Sequence, residues 1–376
     1  MQTIISLKEV LSKIVDPRNK SGLRHPLLPI LLLTLCAFMC GITSYTGVSE
    51  WGRALPQEFI EKLGFTRTPP CAATFCNVYC ELDVDHLEKV LSEWAYLVIG
   101  AETCSWASSE KALSLDGKCL RGSKKQGSTS AHLVAAVSHQ TGICVGQKSV
   151  DEKTNEIPVA MDLLEELVLE GWVVTADAMH TQKRFAEQLI EKGGDYILIA
   201  KGNQPELLNA VQSTFNVPEL SLVARNFTEH MEKGHGRFDK REIWVSSRFN
   251  QAQTQEWEGI NQVFKLTRSS VNAKTGEDRT EIVYGITSLS SGYASPERVN
   301  QLIRNHWTIE NQLHWVRDYV FKEDDSLVRK KSTPQVMAAI RNTTISLIKS
   351  IGENKISKSM RIFSAQPQKA LDLLGV

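Results

Sequence analysis

The 376-residue chain contains no Cys-x-x-Cys pair, no internal repeat, no low-complexity tract and no excess of either charge. Its eight cysteines lack the paired spacing of a structural zinc site, and most sit among apolar neighbours. That usage fits reduced core thiols in the cytoplasm. Lys plus Arg and Asp plus Glu both number 43, so overall basicity does not announce a nucleic-acid partner. A nucleic-acid surface would have to come from local clusters. The opening residues, MQTIISLKEVLSKIVDPRNK, lack the basic and then apolar order of a secretory signal. Only one long apolar run exists, PLLPILLLTLCAFMCGI at 26–42. It stands at the lower limit of a membrane span and carries two prolines in its first turn. A buried helix is the expectation, a membrane anchor the alternative.

At 42% hydrophobic and 23% charged residues the composition is that of an ordinary globular protein, long enough for two or three domains. The basic clusters available are Arg18, Lys20 and Arg24; Lys118, Arg121, Lys124 and Lys125; Lys240 and Arg241; and Arg329, Lys330 and Lys331. Each also reads as a plain solvated face.

Residues 1 to about 100 have helical periodicity, with segments at 5–15, 27–43, 44–54, 56–63 and 84–99. From 111 the period changes. KALSLDG alternates and ends on Asp116-Gly117. AHLVAAVS and GICVGQKSV flank His139-Gln140-Thr141-Gly142, a hairpin pattern. A helix follows over NEIPVAMDLLEELVL. Then come the buried strand GWVVTADA, the helix TQKRFAEQLIEKG capped by Thr181 and closed by Gly193-Gly194, and the strand DYILIAKGN. The order β-β-β-α-β-α-β predicts a mixed α/β sheet covered by helices. Residues 205–295 interrupt it with β-prone runs. An amphipathic helix over RNHWTIENQLHWVRD comes next, with Leu302, Ile309, Leu313, Val316 and Val320 on one face.

Two strands thus end in an acid, Asp116 and Asp177, where sheets present ligands. Brought close, such carboxylates repel and call for a cation. Oxygen ligands favour Mg²⁺ or Mn²⁺ over zinc. Glu310, at the edge of the late helix's buried face, supplies a third carboxylate. The blander reading pairs it with His314 or Arg317. Three carboxylates holding two divalent ions constitute a device for in-line phosphoryl transfer.

LSLDGKCLRGS, VVTADAMHTQKRFAEQLIEKGGDYILIAKGNQPEL and RNHWTIENQLHWVRDYVFKEDDS resemble the three signature blocks of the ISAs1 family of bacterial insertion-sequence transposases, DDE enzymes of the IS4-like type. The stretch DPRNKSGLRHPLLPILLLTLCAFMCGITSYTGVSEWG is similar to that family's transposase-associated N-terminal domain, found also in H-repeat-associated proteins. The resemblance covers about residues 6–350. It implies an RNase H-like catalytic domain over 104–350, with a β-rich insertion at about 205–295 before the glutamate helix. A helical N-terminal domain over 1–103 precedes it, and a C-terminal tail over 351–376 follows. It also implies Asp116, Asp177 and Glu310 as catalytic acids and ligands of Mg²⁺ or Mn²⁺, two ions in all. Related transposases show Tyr-x2-Arg-x3-Glu-x6-Lys around the glutamate. This chain has Ile303, His306, Glu310 and Arg317 there, so only basic character survives at two positions. His306 and Arg317 are then expected to face the DNA backbone, with Lys201, Arg121 and Lys118 as weaker phosphate contacts. The tryptophans of the helix are expected to pack against the sheet, with stacking on a splayed base the alternative. The acids Glu323, Asp324 and Asp325 are expected to be surface charge, with a supporting role behind the metal ligands the alternative for one of them. The implied activity is metal-dependent cleavage at terminal inverted repeats and transfer of 3′-hydroxyls to target DNA by a cytoplasmic, nucleoid-associated homodimer. A domesticated or inactive relative, acting as a nuclease or DNA-binding protein, is the alternative.

Overall fold

The computed structural model describes residues 6–19, 23–103, 111–124, 130–151, 154–216, 227–234, 237–249 and 254–376. Lys20, Lys125 and Cys104 lie outside them. Among the described residues the N-terminal helices are α1 (Leu7–Leu11), α2 (Leu27–Met39), α3 (Tyr45–Ala54), α4 (Gln57–Lys62), α5 (Ala72–Glu81) and α6 (Val84–Thr103). There follow β1 (Ala112–Leu120), β2 (Ala131–Ser138), β3 (Cys144–Val150) and α7 (Glu156–Glu166). Next come β4 (Val173–Ala176), α8 (Lys183–Glu191), β5 (Asp195–Ala200) and α9 (Pro205–Phe215). The inserted strands are β6 (Phe227–Gly234), β7 (Arg237–Ser246), β8 (Gln262–Asn272) and β9 (Asp278–Thr287). After α10 (Pro296–Asn305) and an irregular helical stretch, the chain ends with α11 (Thr333–Lys349), α12 (Ile356–Ala365) and α13 (Pro367–Leu374).

Two compact units result. The first contains residues 1–106, 117–159 and 308–376, the second 107–116 and 160–307. In the first, α1 opens on a capping box: Ser6 accepts from the Glu9 amide while the Glu9 carboxylate accepts from the Ser6 amide. The apolar run forms α2, in which every side chain but Leu28 is buried, as a helix apolar all round must be. Among the described residues no helix is long and apolar enough to cross a membrane. Helix α5, absent from the periodicity reading, buries Phe75, Val78 and Tyr79 at i, i+3 and i+4. Cysteines and β-branched residues hide its weak helical signal. Strands β2 and β3 form the expected antiparallel hairpin, with Gly142 at φ +64° in its turn, and the order here is β3-β2-β1. Residues 351–376 are no tail. Helices α12 and α13 bury Met360, Phe363, Leu371 and Leu374.

In the second unit the strand order is β1-β4-β5-β9-β8-β7-β6. The first three run parallel, and β5 to β6 are joined antiparallel. Parallel β1-β4-β5 with covering helices is the arrangement of an RNase H-like core. The insertion extends the sheet. Ile243, Val245, Phe264, Leu266 and Val283 of the inserted strands share one core cluster with Ala112, Val173 and Ile197 of the parallel strands and with Leu302 of α10. Helix α8 begins later than expected, because the Thr181 hydroxyl donates to the Ile199 carbonyl (2.7 Å) rather than capping it.

Because that cluster is shared, Ile243→Ala is expected to lower unfolding stability by about 2–5 kcal/mol. Urea unfolding should show strands β7–β9 and the parallel strands melting in the same transition. A separate early transition confined to the inserted strands would contradict the shared core.

Candidate active site

The parallel pairing of β1 with β4 ends at Leu115↔Ala176, so the next residue on each strand is an aspartate, Asp116 and Asp177. The strands themselves are buried, Ala112 to Leu115 on one and Val173 to Ala176 on the other, and apolar but for Ser114 and Thr175. The acids stand at the first positions where the sheet opens. Strand β1 does not stop at Asp116, however, but continues to Leu120. Asp116-Gly117 is no turn, because both residues lie inside the strand. An added Cβ at Gly117 would lie 2.1 Å from a Glu156 carboxylate oxygen, so the Glu156 side chain would have to shift. Asp177 caps the short helical turn Ala178–His180, accepting from the Ala178 amide (2.6 Å). The Lys201 ammonium lies 3.9 Å from an Asp177 oxygen, both side chains being more than half exposed. Lys201 thus stands beside an acid.

His306 is the first correction. Burial drives its pKa down to about 4, with the charges of His180 and Arg268 adding to the effect, although Asp177 opposes it. It is a neutral imidazole, not the phosphate-binding cation expected. Thr175 of β4 directs its hydroxyl proton to the Leu113 carbonyl (3.1 Å) and accepts from His306 Nδ1 (3.0 Å). The ring therefore ties the end of α10 to the parallel strands.

Beyond His306 the expected regular helix unwinds. Residues Glu310–His314 and Val316–Val320 are π-helical, with the Trp315 amide bonded to the Glu310 carbonyl and the Phe321 amide to that of Val316. Such i→i+5 bonds wind more slowly than 3.6 residues per turn. Over seven residues this carries Arg317 off the Glu310 stripe and into the interior. Arg317 is 0% exposed and pairs with Glu323 (2.8 Å), itself 2% exposed, which also receives Arg341 (2.9 Å). Burial alone would raise the Glu323 pKa, but the two guanidiniums outweigh it and hold the carboxyl below its usual range. Arg317 is thus withdrawn from any DNA contact, and Glu323 is not surface charge. Trp307 and Trp315 are about half exposed rather than packed, and Trp315 stacks on exposed Tyr319 with centroids 4.8 Å apart.

Glu310 is exposed, and its Oε2 meets His314 Nδ1 at 3.0 Å. That hydrogen bond, aided by the charge of Lys118, lowers the Glu310 pKa, so the acid is ionised. Glu310 and His314 each offer a metal-ligand atom. Lys118 itself is committed to Asp318 at 2.6 Å and only 10% exposed, which removes it as a phosphate contact. Arg121 is 81% exposed and only 3.9 Å from Asp324, so it stays accessible. A further row went unread in the sequence. Cys119 Sγ lies 2.8 Å from His132 Nδ1, and His132 Nε2 lies 2.7 Å from Glu156. The Glu156 carboxylate raises the His132 pKa to about 9. The sequence signal was Glu156 as first residue of the helix after the hairpin, where periodicity registers only a helix start.

The family described as Transposase DDE domain matches residues 107–347, and the one described as DDE_Tnp_1-associated matches residues 8–95. The chain belongs to the DDE transposases. An "H repeat-associated putative transposase YhhI" of Escherichia coli K12 is 30% identical over 349 residues, covering 91% of this chain and 90% of that protein. A "Putative transposase YncI" of E. coli O157:H7 is 30% identical over 353 residues, 92% and 88% of the two chains. Among solved structures, a piggyBac transposase synaptic complex with hairpin DNA aligns over 99% of this chain and 75% of that one, at TM-score 0.40 and 11% identity, too low to carry detail. Membership in the DDE transposases makes the chain an enzyme of DNA transposition and implies a divalent metal. Asp116 and Asp177 are hard oxygen donors on adjoining strands, which fits such an ion.

Two outcomes follow for this transposase. Replacing Glu323 by Gln leaves two buried guanidiniums without an anion, and unfolding stability should fall by about 3–5 kcal/mol in denaturant titration. A fall under half that size would mean the pair is not enclosed. For His306, the folded pKa lies below the ordinary 6.5. The unfolded chain therefore takes up the proton first, and stability should drop by roughly 1–3 kcal/mol as pH falls from 6.5 towards 4. In His306→Gln that part of the pH slope should vanish.

Proposed function

We propose that this transposase, of the ISAs1 family, binds the terminal inverted repeats of an insertion sequence, cleaves at the element ends and transfers the 3′-hydroxyls to target DNA. The observation that supports the reading is the register of β1 and β4: after the last pair, Leu115↔Ala176, the next residue along each chain is an aspartate. Asp116, Asp177 and Glu310 would hold two divalent ions, Mg²⁺ or Mn²⁺, with His314 a further donor beside Glu310. When bound, such a pair activates the attacking oxygen and stabilises the leaving oxygen of an in-line displacement.

The chain's own groups divide the remaining work. Lys201 offsets the charge of Asp177 and stands ready to meet a phosphate. Arg121, exposed one residue past β1, contacts the backbone of the strand being cut. Neutral His306 positions β4 through Thr175 and contributes no charge. Recognition of the ends falls to the helical region up to about residue 103, and catalysis to an RNase H-like domain from about 104 to 350. A homodimer pairs two ends. The enzyme acts in the cytoplasm, on nucleoid DNA.

Asp116→Asn, Asp177→Asn and Glu310→Gln keep the shape and remove one charged ligand each. Each is expected to slow cleavage and joining of a terminal-repeat duplex about a thousandfold, equivalent to about 4 kcal/mol of barrier. DNA affinity should not weaken, because most of it comes from phosphate contacts made by other residues. A variant that cleaves at near the parent rate in Mg²⁺ would strike its residue from the catalytic set. Binding without cleavage by the unaltered chain would favour a domesticated DNA-binding relative.

A further inference from the structure

The N-terminal helical region carries a concentration of positive charge that the carboxylate site does not use. A cleft of about 690 Å³ is walled by Arg18, Arg24 and His25 from the segment before α2, by Arg53 at the end of α3, and by Arg67 before Pro69-Pro70. Among the described residues that line it there is no Asp or Glu and no Phe, Tyr or Trp. Two of the arginines are fixed. Arg18 grips Asp16 with Nε (2.8 Å) and Nη2 (2.6 Å) and reaches the His25 carbonyl (2.8 Å). Arg53 Nε donates to the Pro69 carbonyl (3.2 Å).

Arg24 and Arg67 are exposed and make no hydrogen bond or ion pair with other described residues. Four guanidiniums therefore share one cleft whose described lining holds no carboxylate, Asp16 being bound by Arg18. The field is felt by His25: burial holds its pKa down, and the charges of Arg67, Arg18, Arg24 and Arg53 each push the same way. Clefts lined by one sign of charge focus potential and gather counter-ions.

We infer that this cleft seats backbone phosphates of duplex DNA, with Arg24 and Arg67 as the donors and Arg18 and Arg53 as a rigid cationic wall. The inference rests on the reading of the chain as a DNA-binding transposase and locates one place where DNA is gripped. Guanidinium forks match phosphate oxygens in pairs. Cationic side chains spread over three chain segments of an open cleft suit a polyanion whose charges repeat, more than one compact anion. With no Phe, Tyr or Trp in its described lining to stack on a base, the cleft grips the backbone rather than reading sequence.

The test uses the full-length protein with Arg24→Gln and Arg67→Gln combined. Binding to a terminal-repeat duplex and to a scrambled duplex of equal length is followed by fluorescence anisotropy over a range of NaCl. The slope of log affinity against log salt should flatten by about 1.8, two phosphates' worth, on both duplexes alike. Thermal unfolding should be unchanged, since both side chains are exposed, and the Arg24→Lys and Arg67→Lys pair should recover most of the slope. An unchanged slope in the Gln pair, with the parent protein binding normally, overturns the cleft and leaves the transposase reading standing. Loss confined to the terminal-repeat duplex overturns it too, by making the contact a base contact. If inorganic phosphate alone shifts the His25 resonances and the variant abolishes that shift without changing the DNA slope, the cleft is a small-anion site and the inference falls. A parent protein that binds neither duplex refutes both readings.

Discussion

The parallel pairing of β1 with β4 is the constraint on which the candidate site depends. Backbone hydrogen bonds hold neighbouring strands about 4.8 Å apart whatever side chains they carry. With Leu115 opposite Ala176, the next residue along each chain is an acid. Carboxylates brought close repel, so such an arrangement costs stability unless a cation stands nearby. Lys201, at the end of β5, is one such cation, and the family's divalent ions are another. Apolar residues buried up to Leu115 and Ala176 exclude water from the strands and leave it at the acids.

Glu310 is held by different means. It lies on a π-helical stretch, an arrangement less favourable than regular helix, and π segments persist where surrounding contacts insist on them. Here the insistence comes from the buried Arg317–Glu323–Arg341 group. Glu323 faces two guanidiniums at once, so neither end of the segment can regularise without exposing a charge to the interior. The same segment presses on Gly122, where an added Cβ would lie 2.4 Å from the Ser326 carbonyl. Lys118 reaches Asp318 and completes the fastening. An irregular helix thus presents an exposed, ionised glutamate from a firmly buried base.

The sequence by itself determined a good deal. Alternation, turn residues and helical periodicity yielded the β-β-β-α-β-α-β order. The acids Asp116 and Asp177 were legible because an acid directly after a buried run of strand residues goes against strand propensity. Long local blocks around the three acids carried the family, and the apolar run at 26–42 was legible as a buried helix by its lack of charge. What only the tertiary structure decided were the roles of the basic residues. Arg317 and His306 have the charge and spacing of phosphate contacts, yet one is sealed against Glu323 and the other is neutral beside Thr175. No single-helix periodicity contains the slower π winding that turns Arg317 inward, because that winding answers to partners distant in the chain. Glu323 lies six residues on from Arg317, and Arg341 a further eighteen. Burial and pairing across such distances exist only once the chain has folded, and they settle which charges are spent inside and which remain for DNA.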